Sequence, residues 1–344
     1  MLCFLLTLKK EKNMLNRLKI IAIAVLTSVA AMHGVNAKEF NVNTVRPNAT
    51  VDPLLYKTVE LLPKYAEKHG IKDLTVNVHD ILDATTANES LLTGKLDVVV
   101  GGSNGYLPIF AKDPTKVKLL TGWNKFDLWL ICVNPKIKTL RDITPETKIN
   151  VKISGDGNHM LLKTYTAAEF GVDQANRFDN NLVFMPRDQA FQILSSDKGG
   201  IDCAIIGSPY QNVLVNSGRA HIVARADNKT VYGFPNVSYT TSKWLEENPE
   251  LAKAWIEATN AAIEEYTRDP KPIIQTYLEK DHISGITVDE VLQAKKENND
   301  VFITDLKPAL AFIKTMLDIK LFPVSYDVIP DTQKVFDSSL IGKK

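Results

Sequence analysis

The chain has 344 residues, 44% apolar and 24% charged, with a formal net charge of +1. That balance excludes a strongly basic nucleic-acid binder, whose affinity rests on concentrated positive charge. The length exceeds one comfortable hydrophobic core and predicts two lobes.

The front of the chain reads as an export signal. Arg17 and Lys19 precede an apolar run of 12 residues, 20–31, and Val35-Asn36-Ala37 supplies the small residues that signal peptidase accepts. The run is shorter than the about 20 apolar residues a membrane span needs. Residues 1–37 are therefore expected to be removed and the protein to reach the periplasm; Met14 opens a tidier signal than Met1. Taking away the five basic residues and one acidic residue of that segment moves the net charge from +1 to −3. Beyond it only Cys132 and Cys203 remain, both in apolar runs; buried thiols are the simpler reading, and a disulfide stays open.

After the signal, strand and helix patterns alternate. "FNVNTV" (40–45) reads as a strand, and Asp52-Pro53 opens a helix that stops at Gly70, with Pro63 expected to kink or end it. "LTVNVHDI" is a second strand, Thr86–Thr93 a short helix and "LDVVVGG" a third strand, continuously apolar as in a buried parallel sheet. A strand over "FDLWLICVNP" (126–135) follows, and then the alternation restarts. "KINVKI", a helix over 158–170, "NLVFM", a helix through Ala190–Leu194 and "IDCAIIG" repeat the unit. Gly94, Asp97, Gly102 and Ser103 recur as Gly199, Asp202, Gly207 and Ser208, each offset by 105. The phrase repeats because a three-stranded α/β unit repeats: the Gly ends a helix, the Asp opens a strand, and Gly-Ser marks where the strand's carboxyl end meets a loop. Ligands of open parallel sheets bind beyond those ends, so the two Gly-Ser loops are expected to face one cleft. From about 242 the text is helical: Ser242 caps one helix, and Asn248-Pro249 opens another with Leu251, Trp255, Ala258, Ala262 and Tyr266 on one face. Thr287 with Glu290 forms a capping box, and 308–317 is a last amphipathic segment. These helices are expected to pack on the first lobe.

The order "LLTGKLDVVVGGSNGY", "LICVNPKIKTLRDI…KINVKISGDGNHMLLKTYTAAEFGVD", "DQAFQILSSDKGGIDCAIIGSP", "SKWLEENPELAKAWIEATNAAIEEY" resembles the nitrate/sulfonate/taurine/thiamine-pyrimidine group of ABC-transporter substrate-binding proteins over roughly residues 40–267. No single motif carries the resemblance; order and spacing do, and "DITPETK" departs from the group's usual pattern in a surface turn. It implies an α/β fold, the two-lobe type II periplasmic binding protein fold, each lobe a mostly parallel sheet flanked by helices with the ligand cleft between. The expected division is 38–125 for the first part of lobe 1, 126–225 for lobe 2, and 226–344 for the return strand and the rest of lobe 1. It also implies capture of a small-molecule ligand by lobe closure, delivery to a membrane permease, a monomer and no cofactor.

Candidate ligand contacts follow from the same geometry. "ISGDGNHM" runs from a strand through a Gly-rich turn into a helix, so Gly155, Gly157, Asn158 and His159 can seat an anion on free backbone N–H groups. Asp156 either turns that backbone or marks a neutral or cationic ligand end. Ser103, Asn104 and Tyr106 follow the first repeated strand, and Ser208 and Tyr210 the second. Trp123, Phe126 and Phe234 lie near the crossovers, where cleft walls form, whereas Trp129 reads as core. Arg46 and Asn48 follow the first strand and Asp83 and Thr85 the second; Arg46 can pair a carboxylate or sulfonate bidentately. Asp97 and Asp202 open strands and are expected to be structural. The histidines form no metal-ligand pattern, and no nucleophile elbow or phosphate loop is present. A non-enzymatic receptor without metal is expected; the alternatives are an enzyme resembling pyrimidine-precursor synthases and a periplasmic ligand sensor.

Overall fold

A computed structural model describes residues 38–44, 48–81, 83–196, 199–226, 233–283 and 286–319. The predicted export signal and Arg46 lie outside them. Strand β1 (Glu39–Thr44) is followed by helix α1 (Asp52–Lys68), β2 (Thr75–Asp80), α2 (Ala84–Leu92), β3 (Val99–Gly102), α3 (Ser103–Lys112) and β4 (Val117–Phe126). Next come β5 (Leu130–Cys132), β6 (Ile149–Val151), α4 (Gly157–Phe170), β7 (Leu182–Phe184), α5 (Arg187–Ser195), β8 (Cys203–Ala204), α6 (Tyr210–Asn216) and β9 (His221–Ala224). The described residues end with β10 (Phe234–Thr241), α7 (Ser242–Glu247), α8 (Pro249–Arg268), α9 (Lys271–Lys280), α10 (Val288–Glu297), β11 (Val301–Phe302) and α11 (Lys307–Asp318).

The strands build two centres. In the first, β1 and β2 run parallel, an isolated parallel bridge Val42–Val98 leads to β3, and a four-stranded sheet follows in the order β11-β4-β10-β3. The second is a five-stranded sheet, β7-β6-β8-β5-β9. The repeated units supply the parallel pairs β1–β2 and β7–β6–β8. The long strands β4 and β10 pair antiparallel, as do β5–β8 and β5–β9, so both centres are mixed. The chain leaves the first sheet after Phe126, joins the second at Leu130, and returns between Ala224 and Phe234.

Pro63 does not end α1, which continues to Lys68. The proline faces solvent, where water can take the carbonyl that its missing N–H leaves free. The buried side of α1, including Leu54, Leu55 and Leu62, packs on α8 through Leu251, Trp255, Ala258 and Ala262. Thr241 rather than Ser242 caps α7, accepting from Trp244 N. The Thr287–Glu290 capping box opens α10 as predicted. Helix α11 packs on α3, β10 and α4, so it touches both centres rather than the first alone.

The Gly and Asp of the repeated phrase have one structural meaning in both copies. Asp97 accepts from Asn41 N (2.7 Å) while its own N donates to Asn41 O; Asp202 accepts from Lys148 N (2.9 Å) while its N donates to Lys148 O. Each aspartate therefore pins the start of the neighbouring parallel strand. Gly94 and Gly199 both take positive φ, +76° and +69°, where a side chain would be strained. Cys132 and Cys203 face each other on β5 and β8 and are joined as a disulfide.

Candidate functional site

A cavity of about 500 Å³ opens where strands of both centres end. The β1–α1 turn contributes Asn48 and Ala49, the loop after β6 Lys152, the β7–α5 turn Pro186, Arg187 and Asp188, and the β8–α6 turn Ser208, Pro209 and Tyr210. The far wall is apolar. Tyr277 and Leu278 on α9, Ile283 and Ile286 in the turn beyond it, and Val291 and Ala294 on α10 form it. A few polar groups set against an apolar wall is the usual make-up of a small-molecule pocket.

The wall at Asn48 is held by the start of α1. Asn48 Oδ1 accepts from Thr50 N (3.1 Å) and Thr50 Oγ1 (2.7 Å), and Asn48 N donates to Asp52 Oδ2 (2.8 Å). Thr44 Oγ1 donates to the other oxygen of Asp52. Burial pushes the Asp52 carboxyl up to about 8; the Thr44 hydroxyl opposes this, and nearby Asp281 adds to it. Tyr56 donates its hydroxyl to Asp281. Burial also raises Tyr277, as do Asp52 and Asp281, while the positive charge of Arg187 pulls it back.

Arg187 reaches into this space half-buried, and among the described residues it makes no hydrogen bond and no ion pair. Its Nη1 stands 3.8 Å from where a side chain on Gly207 would begin, and Gly207 has φ +73°. Lys152 is engaged differently. The carboxyl of Asp83 is held low by the Thr86 N–H first, and the Lys152 charge lowers it further. Asp83 is also the N-cap of α2, which Thr85 helps to open.

Other predicted contacts lie elsewhere. At the start of α4, Asp156 accepts from His159 N (2.8 Å), Gly155 N donates to His159 Nδ1 (2.9 Å), and Asn158 Nδ2 donates to Ile205 O (2.7 Å). His159 Nε2 lies 3.4 Å from Asp179, whose two carboxylate oxygens both accept from Lys163 Nζ, at 2.7 and 2.8 Å. Burial pushes the His159 imidazole down, Lys163 reinforces that, and Asp179 opposes it. The polar groups of this loop are thus turned on one another. The ring of Phe234 covers its glycine: a Cβ on Gly157 would stand 2.5 Å from that ring, and one on Gly102 2.8 Å. Phe126 and Phe312 pack edge-on against the same ring at 5.7 and 5.2 Å.

Asn104 sits beside Gly102 at this apolar junction. Ser103 is buried with its hydroxyl unpaired among the described residues, so it does not share the cavity with Ser208. Tyr106 stacks on Phe110, and Trp123 stacks on Trp255 and donates to Val51 O; both lie in the core. Of the predicted residues, the cavity gathers Asn48, Ser208 and Tyr210. Sequence reasoning missed Lys152, Arg187 and the α9–α10 wall. Arg187 follows the predicted strand "NLVFM" as the chosen residues follow theirs, and that position was the available signal.

The fold is that of periplasmic binding proteins. The periplasmic sulfonate-binding protein SsuA of Methylobacillus flagellatus superposes with a TM-score of 0.67 at 16% identity, over 89% of this chain and 93% of that one. The periplasmic nitrate-binding protein NrtA of Synechocystis gives 0.59 at 16% identity, over 89% and 87%. A Candida albicans protein described as having the generic periplasmic binding protein fold gives 0.58 at 15% identity, over 88% and 95%. At such identities the likeness establishes the fold. No known protein family and no curated relative matches the sequence.

Proposed function

We propose that the chain is an exported solute-binding protein of an ABC importer. It captures a small organic solute of sulfonate, carboxylate or heteroaromatic type between two lobes and delivers it to a membrane permease without chemical change. The observation that carries this reading is the cavity of about 500 Å³ set at strand ends of both sheet centres, with polar groups from both. A solute touching both centres stabilises the closed arrangement over the open one, because only the closed form offers both sets of contacts. The neighbours of like fold named for sulfonate and nitrate binding support the solute class. The Cys132–Cys203 disulfide supports an oxidising compartment such as the periplasm.

The test is a thermal-shift screen of the exported protein against sulfonates, aromatic carboxylates and pyrimidines, followed by mass spectrometry of the solute. A solute at a hundred times its Kd should add about 2.7 kcal/mol to stability and be recovered intact. A stabilising compound that is converted to product would overturn the receptor reading in favour of an enzyme.

A further inference from the structure

Arg187 sets the chemistry of the cavity. Its guanidinium is partly withdrawn from water and has no partner among the described residues, a costly arrangement unless something else completes it. Lys152, on the same side, acts on Asp83 and Asp156. Asp188 also lines the cavity, but it is exposed in the first turn of α5, where the helix end and water both stabilise its charge. Asp52, beneath the Asn48 turn, is held in its neutral form near pH 7 by burial. The apolar side chains of α9 and α10 line the same cavity as Arg187, and its positive charge acts on Tyr277. The start of α4, where the Gly-rich loop was expected to seat an anion, is occupied by its own Asp156 cap and by the Phe234 ring.

Resting on the solute-binding reading above, we infer that Arg187 is the specificity-determining residue of the site. It takes a single carboxylate or sulfonate head, while the α9–α10 wall takes an apolar body. The planar guanidinium grips either head through two parallel N–H donors, which an amide cannot match.

The experiment is isothermal titration of the exported protein with acid and amide pairs of graded size: benzoate and benzamide, 2-naphthoate and 2-naphthamide, octanoate and octanamide. Benzenesulfonate and benzenesulfonamide complete the set. At least one acid should bind roughly ten- to a hundredfold tighter than its amide. Arg187→Gln should abolish that preference, and a urea-unfolding midpoint close to that of the wild type shows that the variant is folded. Arg187→Lys should restore it only in part. Equal binding of acid and amide, or a preference that survives Arg187→Gln, overturns the assignment. If only neutral or cationic compounds bind, this inference fails and the receptor reading stands; if no compound in either panel binds, both fall.

Discussion

Asp52 couples folding to a proton. Its carboxyl has no contact with water, and burial, with Asp281 adding, lifts it from 3.8 to about 8 against the donors Thr44 and Asn48 N–H. The folded state therefore holds a proton that the unfolded chain releases near pH 4, and this stabilisation is present in acid and lost as pH rises through about 8. Asp52→Asn cannot titrate. The stability of wild type minus that of the variant, from urea unfolding, should fall by several kcal/mol from pH 4 to 8.5, at roughly 1.4 kcal/mol for each pH step of one across that window; a difference flat with pH would refute this. Lys295 and Asp300 form a second buried pair at 2.5 Å, with side chains only 5% and 3% exposed. Burial drives Lys295 down and Asp300 up, each towards neutrality, while their mutual attraction opposes it. Lys295 also donates to Ala49 O (3.3 Å) and Asn124 to Asp300 (2.6 Å), so the pair ties α10 to the cavity's first turn. Lys295→Met leaves a buried carboxylate with too few donors and should cost about 3–5 kcal/mol in urea unfolding. The double change Lys295→Met with Asp300→Leu should recover most of that loss.

At the scale of elements, the twin strand starts make a matched prediction. Asp97→Ala and Asp202→Ala each strip an acceptor from a backbone N–H, at half-buried Asn41 and exposed Lys148, and should cost about 1–3 and about 0.5–1.5 kcal/mol respectively. If one costs nothing measurable in urea unfolding, the two copies are not doing the same work. The repeat, the α8 face and the Thr287 box were legible because each depends on residues close in sequence. Helix α3 was not, since Gly105 and Pro108 argue against a helix there. Gly105 is explained by distant structure: a Cβ would stand 3.0 Å from the Tyr239 hydroxyl. The expected strand over 126–135 shrank to Leu130–Cys132 for a similar reason. Its earlier backbone is bonded from far away, Asp127 N by Asn298 O and Trp129 N by Gln211 Oε1. The α9–α10 wall lies far in sequence from the loops it faces, so hydrophobic periodicity showed two amphipathic helices but not that they close a cavity.

For the whole molecule, the question is what couples the two sheet centres. One tie is polar: Asn298, just beyond α10, accepts from Gln211 Nε2 (2.7 Å) and donates to Asn212 Oδ1 (2.8 Å), both on α6. The other is apolar. Phe234 begins β10 in the first centre, yet its ring lies against Gly157 at the start of α4 in the second and against Gly102 at the end of β3. Phe234→Ala should cost about 3–5 kcal/mol, because it empties the space between Phe126, Phe312 and both glycines. Gly157→Ala places a methyl where the ring now stands and should cost about 1–3 kcal/mol. Carried together, the changes relieve each other, since the new methyl enters room that the lost ring has vacated. The double variant should therefore be more stable than the sum of the singles predicts, by about 1 kcal/mol or more, in urea unfolding. Strict additivity would mean that the ring does not bridge the two glycine turns, and that the centres are coupled elsewhere, at the crossovers, through Asn298 and through α11.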